Sequence, residues 1–200
     1  FLNEYRPEHS RRDVAGYRSY FLGPVVTSIV EGTRLLVDGQ QRLTTLTLIL
    51  IQLSKLSEGR PGADNLAPLI HSTQYGEKSF NIDVQDRNAV MRAIVDGTNY
   101  TPDANHTSAR NLLDRYQTIT DQLPDEITGA ALLHFIDWLR ERVVLVEIVA
   151  TDQDMALEIF ETMNDRGLQL SSTDMLKSYL IARIEDDEVI ARANKLWRQR

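Results

Sequence analysis

The amino-acid sequence predicts an α+β fold in which helices predominate around a small β-sheet. Residues 20–37 read as a β-hairpin, because two runs rich in β-branched and apolar residues flank a turn signal. Residues 143–149 are almost entirely apolar and read as a buried strand. Most of the remaining chain places apolar residues at helical spacing, so we expect a helix-dominated protein.

The composition is typical of a soluble globular protein. The 200 residues are 42% hydrophobic and 26% charged. The net charge of −7 argues against indiscriminate binding to nucleic acid, which needs an excess of Lys and Arg. The absence of cysteine fits a reducing compartment, and no stretch is long and apolar enough to span a bilayer. We therefore expect a cytoplasmic protein without a membrane partner.

The first part of the chain, about residues 14–84, is predicted to hold the sheet core and a central helix. The first hairpin strand bends at Gly23-Pro24, and the second delivers the chain to Asp38. Residues 43–56 have apolar residues on every face, which indicates a central helix. A short strand is predicted over residues 80–84.

The second part, about residues 85–200, is predicted to be mainly helical with one buried strand, 143–149. The expected helices cover residues 85–95, 108–123, 128–142 and 155–164, and further helices follow from residues 171 and 186. We expect residues 1–200 to form a single domain and to be a fragment of a longer protein, because the last helix stops without a C-cap.

A polar cluster, Asp38-Gly39-Gln40-Gln41-Arg42, lies between the hairpin and the central helix. A capping box explains part of it, with Asp38 as N-cap and Gln41 reaching back. An anion site uses the same position, because the helix N-terminus offers N–H groups and Arg42 adds bidentate donors. In that interpretation Gln40 or Gln41 positions a water molecule or a base edge, and Asp38 binds Mg²⁺ or polarises the water. The residues alone leave both interpretations open.

A second polar cluster follows the helix predicted over residues 155–164. It lies where one predicted helix ends and the next begins, and it consists of Asn164, Arg166, Gly167, Asp174 and Lys177. Helix capping explains most of these residues. The same donors would also line a cleft together with the first cluster.

Other chemistry has little support in the sequence. There is no Gly-x-x-x-x-Gly-Lys-Ser/Thr stretch, so nucleotide hydrolysis would not use a P-loop. His134 lies among apolar residues and reads as a structural histidine. Glu147, Glu158 and Glu161 fit a solvated helix face better than a metal site, so no metal site is identified beyond Mg²⁺ at Asp38.

Residues 35–46, LLVDGQQRLTTL, closely resemble the signature of the N-terminal domain of GmrSD-type modification-dependent restriction endonucleases. Residues 20–26 resemble the strand that precedes this signature. Residues 159–171, followed by Asp174, Leu176 and Lys177, resemble the family's second signature. Both motifs occur in order, so the resemblance covers nearly the whole chain.

The resemblance implies a ParB/sulfiredoxin-like sheet core with helical additions, and a role in bacterial defence against modified foreign DNA. It implies binding and hydrolysis of a nucleoside triphosphate, GTP being one candidate, with Mg²⁺. The implied catalytic residues are Asp38, Gln40, Gln41 and Arg42. The implied nucleotide-binding residues are Gly39, Thr44, Thr45, Asn164, Arg166, Gly167 and Lys177, supported by Asp174.

The implied partners are modified DNA, bound through the full-length protein, and a C-terminal HNH-type nuclease domain or subunit. No HNH-type arrangement of His and Asn follows Lys177, so we expect DNA cleavage by a separate domain. Two alternatives remain: a non-catalytic DNA-sensing or scaffolding module whose motif is a helix cap, and a metal-dependent nuclease.

Overall fold

The structure is a computed structural model that describes residues 1–30, 32–74, 76–83, 85–103 and 106–164. Its strands are β1 (Tyr20–Val30), β2 (Thr33–Asp38), β3 (His71–Gln74), β4 (Glu77–Phe80) and β5 (Val143–Ala150). Its α-helices are α1 (Gln40–Ser57), α2 (Ala67–Ile70), α3 (Gln85–Asp96), α4 (Thr107–Gln122), α5 (Asp125–Thr128), α6 (Leu132–Glu141) and α7 (Gln153–Asn164). A 3₁₀ helix covers Arg11–Gly16. The predicted α+β, helix-dominated fold is confirmed.

The described strands form two small sheets. The first has the order β2-β1-β5, and the second is the antiparallel pair β3-β4. β1 and β2 pair antiparallel from Val26 opposite Asp38 to Val30 opposite Thr33, with an irregularity between Val26 and Thr27. The hairpin predicted over residues 20–37 is therefore confirmed.

The chain groups into two compact units. The first unit contains Phe1–Pro24 and Gly39–Val146. The second contains Val25–Asp38 and, among the described residues, those from Glu147 onward. No helix in the described part of the chain is long and apolar enough to cross a membrane.

Helix α1 is the centre of the first unit. Leu48 and Ile51 belong to one apolar cluster, which α2, β4, α3 and α4 complete. Leu53 belongs to a second cluster, with residues that include Leu132 and Ile136 of α6. Because α1 contributes to both clusters, the prediction of a central helix is confirmed.

The second unit has a smaller core, formed by Val26 of β1, Ala150 of β5 and Ala156 of α7. Helix α7 begins next to Asp152, whose carboxylate accepts the backbone N–H of Met155 at 2.7 Å. This hydrogen bond lowers the pKa of Asp152, because it favours the charged form of the carboxyl group.

Strand β5 is where predicted, but the prediction that it is buried is wrong. Val144, Val146 and Val149 are 41%, 47% and 48% exposed. A continuous run of β-branched residues is typical of a strand covered on both faces. Here β5 is an edge strand of its sheet, and these side chains remain accessible to solvent.

Two further predictions need correction. The helix predicted over residues 128–142 begins later, as α6 at Leu132, and a separate short helix, α5, precedes it and ends at Thr128. Arg60 donates to the carbonyl oxygens of Thr128 and Gly129, both at 2.8 Å, and so satisfies the end of α5. The short strand predicted over residues 80–84 lies earlier, as β4, which ends at Phe80.

An ion pair joins the 3₁₀ helix to α6 within the first unit. Arg11 donates to both carboxylate oxygens of Asp137, from Nε at 2.5 Å and from Nη2 at 2.6 Å. Asp137 is only 7% exposed, and Arg11 also contacts Asp64 at 2.8 Å. The bidentate contact supplies the buried carboxylate with the charged donors that burial requires.

Replacing Arg11 with Ala leaves the Asp137 carboxylate buried without this partner. We expect the free energy of unfolding to fall by about 2 kcal/mol, less than for a wholly buried pair, because Arg11 is still 33% exposed. Urea denaturation measures this change. The matched control is Arg12→Ala, at an exposed neighbour, with an expected change within about 0.5 kcal/mol. Equal losses for the two variants would contradict the role given to the ion pair.

Candidate functional site

The Asp38–Arg42 motif is built differently from the predicted capping box. Asp38 is the last residue of β2, and the N-cap position of α1 belongs to Gly39, which is buried and has a φ of +96°. This φ favours glycine, because other residues are strained there. Helix α1 begins at Gln40. The N-cap was therefore predicted one residue too early, at Asp38.

Arg42 has a structural contact that the sequence did not predict. Its Nη1 donates to the backbone carbonyl oxygen of Pro24 in β1. The guanidinium lies against Gly23, where a Cβ atom would stand 2.6 Å from Nη1. Gly23 also has a φ of +112°, so the bend in β1 and the side chain of Arg42 fit one another.

A polar cleft of about 390 Å³ opens beside the first turns of α1. Its volume is within the range of about 300–1,000 Å³ that is usual for small-molecule sites. The described residues that line it come from α1, α3 and α4, all in the first unit: Gln41, Thr44, Arg87, Ser108, Asn111, Leu112 and Arg115.

Hydrogen bonds connect the walls of the cleft. Arg115 of α4 donates from Nη1 to Gln41 Oε1 at 3.2 Å and to Thr45 Oγ1 at 3.1 Å. Arg87 of α3 donates from Nε to Ser108 Oγ at 3.0 Å. Each arginine is thus held at the cleft by neutral oxygen acceptors, which are weaker partners than anionic oxygens.

The helix that carries Arg115 is fixed to α1 by its next residue. Tyr116 donates its hydroxyl to Gln52 Oε1 at 2.7 Å, and Gln52 is only 9% exposed. Lys55 stands over the Tyr116 ring, with Nζ 5.6 Å from the ring centroid. Burial raises the pKa of Tyr116, so its hydroxyl remains a donor at neutral pH.

The structure places part of the predicted site at the cleft. Gln41 and Thr44 line it, and Thr45 contacts it through Arg115. Gly39, Gln40 and Arg42 form the adjoining turn and first helical turn of the same unit.

Of the other predicted site residues, the structure describes Asp38 and Asn164. Asp38 ends β2, and Asn164 ends α7 in the second unit. The predictions for Arg166, Gly167, Asp174 and Lys177 lie outside the described residues.

The sequence did not indicate four polar residues of the cleft lining: Arg87, Ser108, Asn111 and Arg115. They lie on α3 and α4, where isolated polar residues read as an ordinary solvated helix face. Only the packing of these helices against α1 brings them to the motif.

The three glutamates considered as metal ligands either have other partners or are exposed. Glu147 accepts from Thr27 Oγ1 at 2.7 Å and pairs with Arg34 at 3.1 Å in the second unit. Glu158 and Glu161 are exposed on α7. Among the described residues, no group of three or more His, Asp or Glu side chains is placed to hold a metal ion.

Two contacts of His134 fit the structural role predicted for it. His134 Nε2 lies 2.9 Å from the backbone oxygen of His9, and the ring meets that of Tyr5 edge-on with centroids 5.2 Å apart. These contacts hold the N-terminal segment against α6.

Together, the fold and the cleft define a helix-rich α+β domain with an arginine-containing polar site beside a strand–glycine–helix motif. The chain matches the family described as "GmrSD restriction endonuclease, N-terminal domain" over residues 3–181. The chain therefore belongs to this family, which supports a role in restriction-based defence. No curated protein matched the chain.

The contact between Arg42 and Gly23 can be tested with a double-mutant cycle. Gly23→Ala should cost about 1–3 kcal/mol of backbone strain and also displace the Arg42 guanidinium. In an Arg42→Ala background the second cost disappears, so we expect Gly23→Ala to be about 1 kcal/mol less destabilising there. Thermal and urea denaturation measure both values.

The control for this cycle is Gly59→Ala. Gly59 also has a positive φ, +71°, but a Cβ atom there would meet nothing within 4 Å. Its cost should be the same with and without Arg42. A Gly23→Ala cost that does not depend on Arg42 would show that the two residues are not coupled.

Proposed function

We propose that this domain binds and hydrolyses a nucleoside triphosphate, with Mg²⁺, as the regulatory part of a modification-dependent restriction system. The observation that carries the proposal is the cleft, which joins Gln41 and Thr44 of the motif region to two arginines on neighbouring helices. Membership of the family by itself supports the defence role, but it does not identify a nucleotide as the ligand.

The geometry of the cleft suits a phosphate-bearing ligand. Arginine is the side chain best matched to phosphate oxygens, since its planar guanidinium donates two parallel hydrogen bonds. The first turn of α1 adds the partial positive charge of a helix N-terminus, in a helix of 18 residues. Hydroxyl groups of Thr44 and Ser108 supply further neutral donors.

The proposed catalytic roles follow from the positions along the motif. Gln41 orients the attacking water through its side-chain amide, with Gln40 beside it on the first turn of α1. Asp38, which directly precedes the glycine turn, holds Mg²⁺ or polarises the water. GTP is the first nucleotide to test.

We assign Arg42 a positioning role in place of the catalytic role that the resemblance implied. Its hydrogen bond to Pro24 ties the first turn of α1 to β1, so Arg42 positions Gln40 and Gln41. An Arg42→Ala variant would lower stability together with activity, and it would not separate the two effects.

The remaining parts of the proposal concern residues and partners beyond the cleft. The family resemblance adds Asn164, Arg166, Gly167 and Lys177, with Asp174 in support, to the proposed nucleotide-binding residues. Modified DNA is bound through the full-length protein, and an HNH-type nuclease domain or subunit cleaves it. The cytoplasm is the proposed compartment.

A second candidate is a non-catalytic DNA-sensing or scaffolding module in which the motif only stabilises the fold. The hydrogen bond from Arg42 to Pro24 favours it, because this contact gives the motif a structural purpose. The two candidates differ at Gln41, which is exposed and contributes no apolar packing.

Gln41→Ala separates the candidates. If Gln41 orients the attacking water, we expect the rate of GTP hydrolysis to fall by about 10²-fold while the melting temperature changes little. The measurement is phosphate release by the purified protein with Mg²⁺, with and without modified DNA.

The matched control for this experiment is Gln122→Ala, at an exposed glutamine at the end of α4, outside the residues that line the cleft. Its hydrolysis rate should equal that of the unaltered protein. Equal rates for Gln41→Ala and the unaltered protein, or no hydrolysis in any condition, would favour the non-catalytic module.

A further inference from the structure

We propose that Arg87 and Arg115 form a phosphate clamp that recognises the polyphosphate tail of the nucleotide by charge and does not select the base. The inference rests on the proposed function and names the part of the ligand that this cleft binds. Neither arginine belongs to the motifs of the sequence.

The first support is the charge of the cleft. Two guanidinium groups line it, while none of the described side chains that line it is acidic. Like charges in one cleft repel one another, and the chain as a whole carries a net charge of −7. A local excess of positive charge on an acidic protein fits an anionic ligand.

The second support is the way each arginine is held. Arg115 donates to the side-chain oxygens of Gln41 and Thr45, and Arg87 donates to Ser108 through Nε. These contacts fix the two side chains at the cleft with uncharged acceptors. Anionic phosphate oxygens are about twice as strong as acceptors, so they would displace or supplement these partners.

The clamp would also affect Gln41. A phosphate that draws the Arg115 guanidinium away from Gln41 Oε1 releases the side chain that the proposed mechanism gives to the attacking water. Binding of the tail and the positioning of Gln41 are then coupled through a single hydrogen bond.

The third support is the lack of an aromatic side chain among the described residues that line the cleft. Aromatic side chains are the usual platform on which a nucleobase stacks. The described lining has one apolar residue, Leu112, and its other members are polar or charged. We therefore expect affinity to depend on the number of phosphates and little on the base.

The experiment compares the affinities of GTP, ATP and inorganic tripolyphosphate by calorimetry at two salt concentrations. We expect dissociation constants for GTP and ATP within about threefold of each other, measurable binding of tripolyphosphate, and weaker binding at higher salt. Arg87→Gln and Arg115→Gln should each weaken all three by about tenfold or more.

The matched controls are Arg92→Gln on α3 and Arg110→Gln on α4. Each stands five positions after Arg87 or before Arg115 on the same helix, is exposed, and is outside the described cleft lining. They remove the same charge from the same helix, and we expect affinities within about twofold of the unaltered protein. Melting temperatures of all four variants establish that each is folded.

The outcomes distinguish the clamp from the proposed function. If nucleotides bind and the two cleft variants bind them normally, the clamp is overturned and the proposed function stands. A preference of more than about tenfold for one base overturns recognition by charge alone. If only tripolyphosphate binds, and the cleft variants lose it, the clamp is supported and the proposed function fails. No binding of any of the three overturns both.

Discussion

The first unit depends on the burial of α1 between two apolar clusters. Leu48 and Ile51 face one cluster and Leu53 faces the other, so the helix cannot rotate without exposing one of them. Its first turns are therefore fixed, and with them the direction of Gln41 and Thr44 toward the cleft. The partly buried hydrogen bond from Tyr116 to Gln52 also fixes where α4 lies along α1.

The motif at the start of α1 combines structure and chemistry in neighbouring residues. Gly39 supplies a backbone conformation with positive φ, and Arg42 ties the helix to the bend at Gly23-Pro24. Gln41 points instead to the cleft and meets Arg115. Adjacent residues of a helix face different directions, about 100° apart, so one short motif can hold the fold together and line a site.

The sequence was informative wherever the signal was local. The hairpin, the central helix and the helices α3, α4 and α7 follow from periodicity and turn residues, and the structure has them close to the expected positions. The N-cap was predicted at Asp38, one residue before the glycine that occupies it, and the burial of β5 was wrong. The burial of a strand depends on which neighbours it meets, and a pattern of residue types does not specify those neighbours.

The sequence by itself determined the fold class, the central place of α1 and, through its motifs, the family to which the chain belongs. Tertiary structure alone decided that Arg87 and Arg115, on separate helices far along the chain, meet Gln41 at one cleft. It also decided that Arg42 is bound to β1. The physical reason is that an isolated arginine on a polar helix face has the same local pattern whether it faces solvent or a site. Only packing of the apolar faces brings such residues together.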